Sequence, residues 1–252
     1  MKQNNQAVND QFKAFVIGGT GGVGAHLVEK LCASPRYAQV TVVSRRELAP
    51  VPKLNNIVWQ DFTDYLIHHP EKAIAVFEGH DVGFCCLGAS EQAMMGLLIN
   101  PNKFAKDFHT VDYDYVVATA SAAHQAGVPY FSVTSSTSAN PEAKFIYSRI
   151  KGEMERDVQA VGFTSLSIFQ PSHLVKEATG NETMLKRIWK SMLASLTWLI
   201  PSQEETLRVE DVAEAMKVEF EQAISQQRDK VAFYEPSKIL ALATSIHNLK
   251  VG

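Results

Sequence analysis

The chain has 252 residues, 46 % of them hydrophobic and 20 % charged, with a formal net charge of −3. That length allows one large core or two small ones, and the faintly acidic balance argues against a nucleic-acid partner, which needs a concentrated basic surface. No apolar stretch approaches the roughly 20 residues that cross a bilayer, so no integral membrane segment is expected.

The start, "MKQNNQAVNDQ", is polar and lacks an apolar h-region, so residues 1–11 read as a loose tail without a secretory signal. Cys32, Cys85 and Cys86 have neither disulfide-framework nor metal-site spacing. They read as buried thiols in a reducing compartment, which implies a cytoplasmic location. His68-His69 stands before Pro70 with no third ligand and reads as a turn, so no metal is expected.

Beyond the tail, strand-like and helix-like segments alternate. Lys13–Gly18 is short and apolar, and Val23–Leu31 repeats apolar residues at helical spacing. "QVTVVS" (Gln39–Ser44) is rich in β-branched residues, which favour an extended chain. A third strand is predicted around Ile57–Gln60, a fourth at Asp81–Gly88, a fifth at Tyr130–Ser136 and a sixth at Ser165–Gln170. Helices are predicted at about 62–78, 112–126 and 147–161. Apolar strands separated by helices imply a parallel sheet covered on both faces, an α/β doubly wound Rossmann-type fold.

After Pro171 the rhythm changes. Helices are predicted over Glu182–Trp198, Asp211–Ile224 and 238–249, with a short strand, "KVAFY", between the last two. Residues 12–252 are expected to be one domain, with 171–252 a small helical cover over the carboxyl ends of the strands.

"FVIGGTGGVGAHLVEKL" (Phe15–Leu31) places Gly18, Gly21 and Gly24 three apart, between the first strand and the first helix. The first glycine allows the tight turn, the second admits a pyrophosphate and the third lets helix and strand pack closely. The diphosphate then sits at the positive end of the helix dipole. The second strand ends in "VVSRREL", with Arg45 and Arg46 where a site for the 2′-hydroxyl of NAD would carry a carboxylate. A guanidinium pairs with a 2′-phosphate, so the expected cofactor is NADP(H). In "FIYSRIKGE", Tyr147 and Lys151 share one helix face at i, i+4, and Ser135 and Ser136 end the preceding strand.

With these residues the chain resembles the short-chain dehydrogenase/reductase superfamily. "GHDVGFCCLG" (Gly79–Gly88), "VDYDYV" (Val111–Val116), "KGE" after Tyr147 and "FQP" (Phe169–Pro171) narrow the likeness to the Tat-interacting-protein family of atypical members, over about Phe15 to Leu174. The resemblance implies a phosphate turn of Thr20, Gly21, Gly22, Val23, Gly24 and Ala25, with Arg45 and Arg46 on the 2′-phosphate. It places Asp61 toward the adenine, and Leu87 and Gly88 along the cofactor. Tyr147 and Lys151 meet the nicotinamide ribose, and Leu174 lies by the nicotinamide. One departure stands out. Arg-Pro-Gly is expected in the last loop, and this chain has Gln170-Pro171-Ser172.

As an enzyme, such a protein would reduce the carbonyl of a small molecule. NADPH would give the hydride, Tyr147 the proton, Lys151 would hold the ribose, and Ser135 or Ser136 would bind the carbonyl oxygen; a one-residue shift exchanges the two serines. Ala89–Thr110 is the expected substrate loop. Three other readings compete. One is an NADPH-binding regulator acting through a protein partner. Another is a sugar-nucleotide epimerase or dehydratase, disfavoured by the short tail and the arginines. The last is surface docking through the basic, tryptophan-bearing Glu182–Trp198. A monomer or homodimer fits all of them.

Overall fold

The computed structural model describes residues 11–88, 101–172, 174–175, 206–226 and 231–249. Strands β1 (Phe12–Ile17), β2 (Tyr37–Ser44), β3 (Leu54–Val58), β4 (Val82–Cys85), β5 (Tyr130–Thr134), β6 (Ser165–Phe169) and β9 (Val231–Tyr234) form one sheet. The order is β3-β2-β1-β4-β5-β6-β9, and all six pairings are parallel. A second pair joins β7 (Leu174–Val175) to β8 (Leu207–Arg208). This is the expected doubly wound arrangement, and its order reverses between β1 and β4, where such sheets bind ligands.

Both faces are buried, which explains the unbroken apolar strands. Along β1, Ala14 and Val16 pack toward one layer and Phe15 and Ile17 toward the other. The first layer holds α1 (Gly22–Ala33) and α6 (Val209–Ser225). The second holds α2 (Pro70–Phe77), α4 (Tyr115–Gln125) and α5 (Ile146–Ala160). In that layer the Phe15 ring stacks on Phe77 with centroids 4.1 Å apart.

Two predicted helices are subdivided. Over 62–78, a π-helical turn at Asp64–His68 is followed by α2, which starts at Pro70. Proline lacks the N–H needed to continue a helix but suits a first helical position. Over 112–126, α3 (Pro101–His109) leads through a π-helical turn, Thr110–Asp114, into α4.

The tail also differs from a simple cover. Strand β9 pairs with β6 and completes the sheet, and α6 packs in the α1 layer, with the Lys30 ammonium 2.8 Å from the Glu214 carboxylate. The chain closes with α7 (Pro236–Leu249). Helix and strand propensity could not reveal that β9 has an edge to join, because β6 supplies it. Glu182–Trp198, and with it the docking reading, lies outside the described residues.

Candidate active site

The glycine turn is shaped by backbone contacts. Gly18 has φ +83°, and a Cβ there would lie 2.5 Å from the Cys86 carbonyl oxygen. A Cβ on Gly24 would lie 2.2 Å from the Gly18 carbonyl oxygen. The turn is therefore pressed against the end of β4 on one side and the first turn of α1 on the other. The Gly21 N–H donates to the Gly18 carbonyl at 3.0 Å, and Gly21 caps the helix in extended conformation. The first N–H groups of α1, on Gly22, Val23 and Gly24, have no carbonyl within the helix to bond. The Ala25 N–H is already committed, donating to the Gly21 carbonyl at 3.0 Å. Thr20 is exposed at the tip of the turn, while the Val23 side chain is buried. This cradle of small residues and unpaired donors fits a diphosphate.

Arg45 and Arg46 follow β2 and are exposed. Their loop is pinned from below. The Ser44 hydroxyl donates to the Arg46 carbonyl at 2.6 Å, and the Asn56 amide donates to Ser44 Oγ at 2.9 Å. Asn56 also accepts the Leu48 N–H at 2.8 Å. Asp61 is exposed after β3 and accepts the Thr63 N–H at 2.8 Å, so its carboxylate caps a turn. It borders an open hollow with Val58, Gln60, Asp64 and Tyr65, beside the stacked Trp59 and Tyr65 rings.

At the end of β4, Leu87 is buried and Gly88 is exposed. Next to Gly88 stands Asp112, in the π-helical turn before α4; a Cβ on Gly88 would lie 3.6 Å from Asp112 Oδ1. That oxygen is 2.7 Å from Lys151 Nζ, and the two side chains are only 2 % and 5 % exposed. Burial works to lower the Lys151 pKa. The Asp112 carboxylate and the Tyr147 phenol outweigh it, and the ammonium is held above its ordinary value. Tyr147, one turn earlier on α5, is partly buried with its ring centroid 5.3 Å from that of Phe108.

One turn beyond Lys151 the same face carries Glu155, also buried. The Gln170 amide donates to its two oxygens at 2.9 and 3.1 Å. Burial pushes the Glu155 carboxyl up; the Ser135 hydroxyl, the Gln170 amide and Lys151 oppose this without reversing it. The two serines have different surroundings. Ser135 Oγ is buried near Glu155 but makes no hydrogen bond of normal geometry. Ser136 Oγ lies 3.1 Å from Ser138 Oγ and accepts the Ser138 N–H at 3.3 Å.

Leu174 lies in β7, half-buried against the α1 and α6 layer. His173 and residues 89–100 of the expected substrate loop lie outside the described residues. Among the described residues no cluster of His, Cys, Asp or Glu is arranged to hold a metal ion, and no helix is long and apolar enough to cross a membrane. Burial pushes the Cys85 thiol up to about 12, so it stays protonated at neutral pH. Sequence reasoning did not single out Asp112 or Glu155. A carboxylate on the apolar face of each helix was the available signal, most plainly at Glu155, four residues after Lys151.

A seven-stranded parallel sheet with a glycine turn opening α1 defines a Rossmann-type protein of the NAD(P)H-binding class. A family model described as NAD(P)H-binding matches residues 18–192, and the chain belongs to that family, as an atypical short-chain dehydrogenase/reductase related to the HTATIP2 family. Protein HTATIP2 of Rattus norvegicus is 30 % identical over 181 residues, spanning 71 % of this chain and 70 % of the relative. FMP52-1, a protein named as mitochondrial from Scheffersomyces stipitis, is 28 % identical over 186 residues, or 73 % of this chain and 76 % of that one.

Among solved structures, the oxidoreductase ylbE from Lactococcus lactis is 21 % identical with a TM-score of 0.59, covering 94 % of this chain and 97 % of its own. MoeE5 in complex with UDP-glucose and NAD is 17 % identical with a TM-score of 0.62, covering 94 % and 82 %. These likenesses show the fold. The expected cytoplasmic location is corrected by the fungal relatives, several of which are named mitochondrial proteins. Reduced cysteines do not distinguish the two compartments.

Proposed function

We propose that this protein is an NADPH-dependent reductase acting on the carbonyl of a small molecule. The observation that carries the reading is a continuous line of contacts between two motifs far apart in sequence. Gly18 presses on the Cys86–Leu87 peptide, Gly88 follows, Asp112 stands beside Gly88, and Asp112 holds Lys151. The glycine turn and the Tyr147–Lys151 face thus meet at the carboxyl ends of β1 and β4.

In this reading the diphosphate rests on the N–H groups of Gly22, Val23 and Gly24, with Thr20 and Gly21 along the turn. Arg45 and Arg46 pair with the 2′-phosphate. Asp61 borders the adenine, while Leu87, Gly88 and Leu174 line the nicotinamide end. The bound nucleotide supplies a hydride to the carbonyl carbon. Tyr147 gives its phenolic proton to the carbonyl oxygen, and Lys151 binds the ribose hydroxyls and stabilises the phenolate left behind. Ser135 or Ser136, at the end of β5, binds the carbonyl oxygen.

The test is calorimetric titration of NADPH and NADH into the purified protein and into an Arg45→Ala, Arg46→Ala double variant. NADPH should bind at least about tenfold more tightly than NADH, consistent with two charge-assisted pairs, and the preference should vanish in the variant. Equal affinities in the unmodified chain would overturn the NADP assignment. Binding of neither would overturn the reductase reading as a whole.

A further inference from the structure

The loop that carries Arg45 and Arg46 has a fixed backbone, and the fixing comes from two polar side chains in neighbouring strands. Asparagine is disfavoured in a strand, yet Asn56 stands in β3 opposite Val42 of β2 and commits its whole side chain to the chain around that loop. Its amide donates to the Val42 carbonyl at 3.0 Å and to Ser44 Oγ at 2.9 Å, and its oxygen accepts the Leu48 N–H at 2.8 Å. Ser44, only 3 % exposed, donates in turn to the Arg46 carbonyl at 2.6 Å. We propose that Ser44 and Asn56 are positioning residues that set selectivity for a nucleotide bearing a 2′-phosphate, by ordering the backbone of Arg45 and Arg46 before the nucleotide arrives. The inference rests on the nucleotide site proposed above and adds which residues make its arginines selective.

The bonds form a bracket. Asn56 meets the chain where it leaves β2 and again at Leu48, which packs on the α1 layer, so residues 45–47 are closed off at both ends. Within the bracket Arg45, Arg46 and Glu47 are exposed, and among the described residues neither guanidinium has an ion-pair partner. Val42 and Leu54, two residues before Ser44 and Asn56 in their strands, pack in the α1 layer, so the two polar side chains lie on the sheet face that α1 covers. β1 and β2 are paired through Ile17 and Val43, one residue short of Gly18 and Ser44. The arginine loop therefore stands beside the glycine turn. A guanidinium on a mobile loop loses backbone as well as side-chain freedom when it pairs with a phosphate. On a loop ordered beforehand it loses only the side-chain part, and the difference remains as affinity. A nucleotide with a bare 2′-hydroxyl does not engage the arginines, so the ordering is read as selectivity.

The experiment titrates NADPH and NADH by calorimetry into the full chain, into Ser44→Ala and Asn56→Ala, and into each of these with Arg45→Ala and Arg46→Ala added. Hydrogen exchange at the Leu48 amide, measured without nucleotide, reports the loop itself. NADPH should bind about three- to tenfold more weakly in Ser44→Ala and at least about tenfold more weakly in Asn56→Ala, the scale of net hydrogen-bond losses. NADH affinity should stay within about twofold in both, showing that the sheet and the glycine turn are intact. Leu48 exchange should quicken in Asn56→Ala. Without the arginines neither substitution should weaken NADPH further, because both act through them. An unchanged preference for NADPH in both single variants overturns the proposal and leaves the arginine assignment standing. So does a parallel loss of NADH affinity, or an equal loss of NADPH affinity when the arginines are absent. If replacing the arginines leaves the preference as it was, the 2′-phosphate assignment fails, and the proposal with it.

Discussion

Tyr147, Lys151 and Glu155 occupy successive turns on one face of α5, yet each answers to a different neighbour. Tyr147 packs on Phe108, Lys151 pairs with Asp112, and Glu155 accepts from Gln170. In the proposed mechanism only the Tyr147 hydroxyl moves a proton to substrate. Tyr147→Phe should therefore lower kcat by at least about a thousandfold while leaving the nucleotide dissociation constant within about twofold, because the ring and its packing stay. Carbonyl turnover and calorimetry together check this. Glu155 makes a separate prediction about stability. A carboxyl whose folded pKa is raised stabilises the fold fully below its unfolded pKa, and that contribution is lost as pH rises through the folded value. Urea unfolding of Glu155→Gln should show a weaker fall in stability from acid to alkaline pH than the unmodified chain shows.

The decisive element is the β1–turn–α1 unit, whose shape depends on what it touches. Gly18 combines a left-handed backbone with a Cβ position only 2.5 Å from the Cys86 carbonyl oxygen. Neither condition suits an L side chain, and a backbone carbonyl at a strand end moves only with its sheet. Gly18→Ala should destabilise the protein by about 3 kcal/mol or more in denaturant unfolding, and should abolish nucleotide binding even where the variant folds. The π-helical turn at Thr110–Asp114 has a comparable local importance. It sits at the junction of α3 and α4 and carries Asp112, which stands beside Gly88 and pairs with Lys151.

Across the molecule, the late segments close the layer opposite α5. Strand β9 extends the sheet, and its Tyr234 hydroxyl donates to Glu219 Oε1 at 2.6 Å, while Ser167 on β6 donates to Glu219 Oε2 at 2.8 Å. Glu219 is on α6 and only 1 % exposed, so these bonds tie two neighbouring strands to the helix that covers them. Tyr234→Phe should cost about 1–3 kcal/mol in unfolding free energy, the penalty for a buried carboxyl losing a donor, with nucleotide affinity unchanged.

The sequence by itself determined the local features of this protein. The alternation of apolar strands and helices, the glycine turn, the paired arginines and the Tyr147–Lys151 spacing are all set by residues within a few positions of one another, where sterics and helix periodicity act directly. Only the tertiary structure decided the rest, because it depends on groups distant in the chain. Asp112 meets Lys151 across 39 positions, Ser135 is separated from Ser136 by its approach to Glu155, Gln170 reaches back to that same carboxyl, and β9 finds its place at an edge that β6 provides. The charge at a buried site is a sum over neighbours, and sequence spacing does not say which neighbours those are.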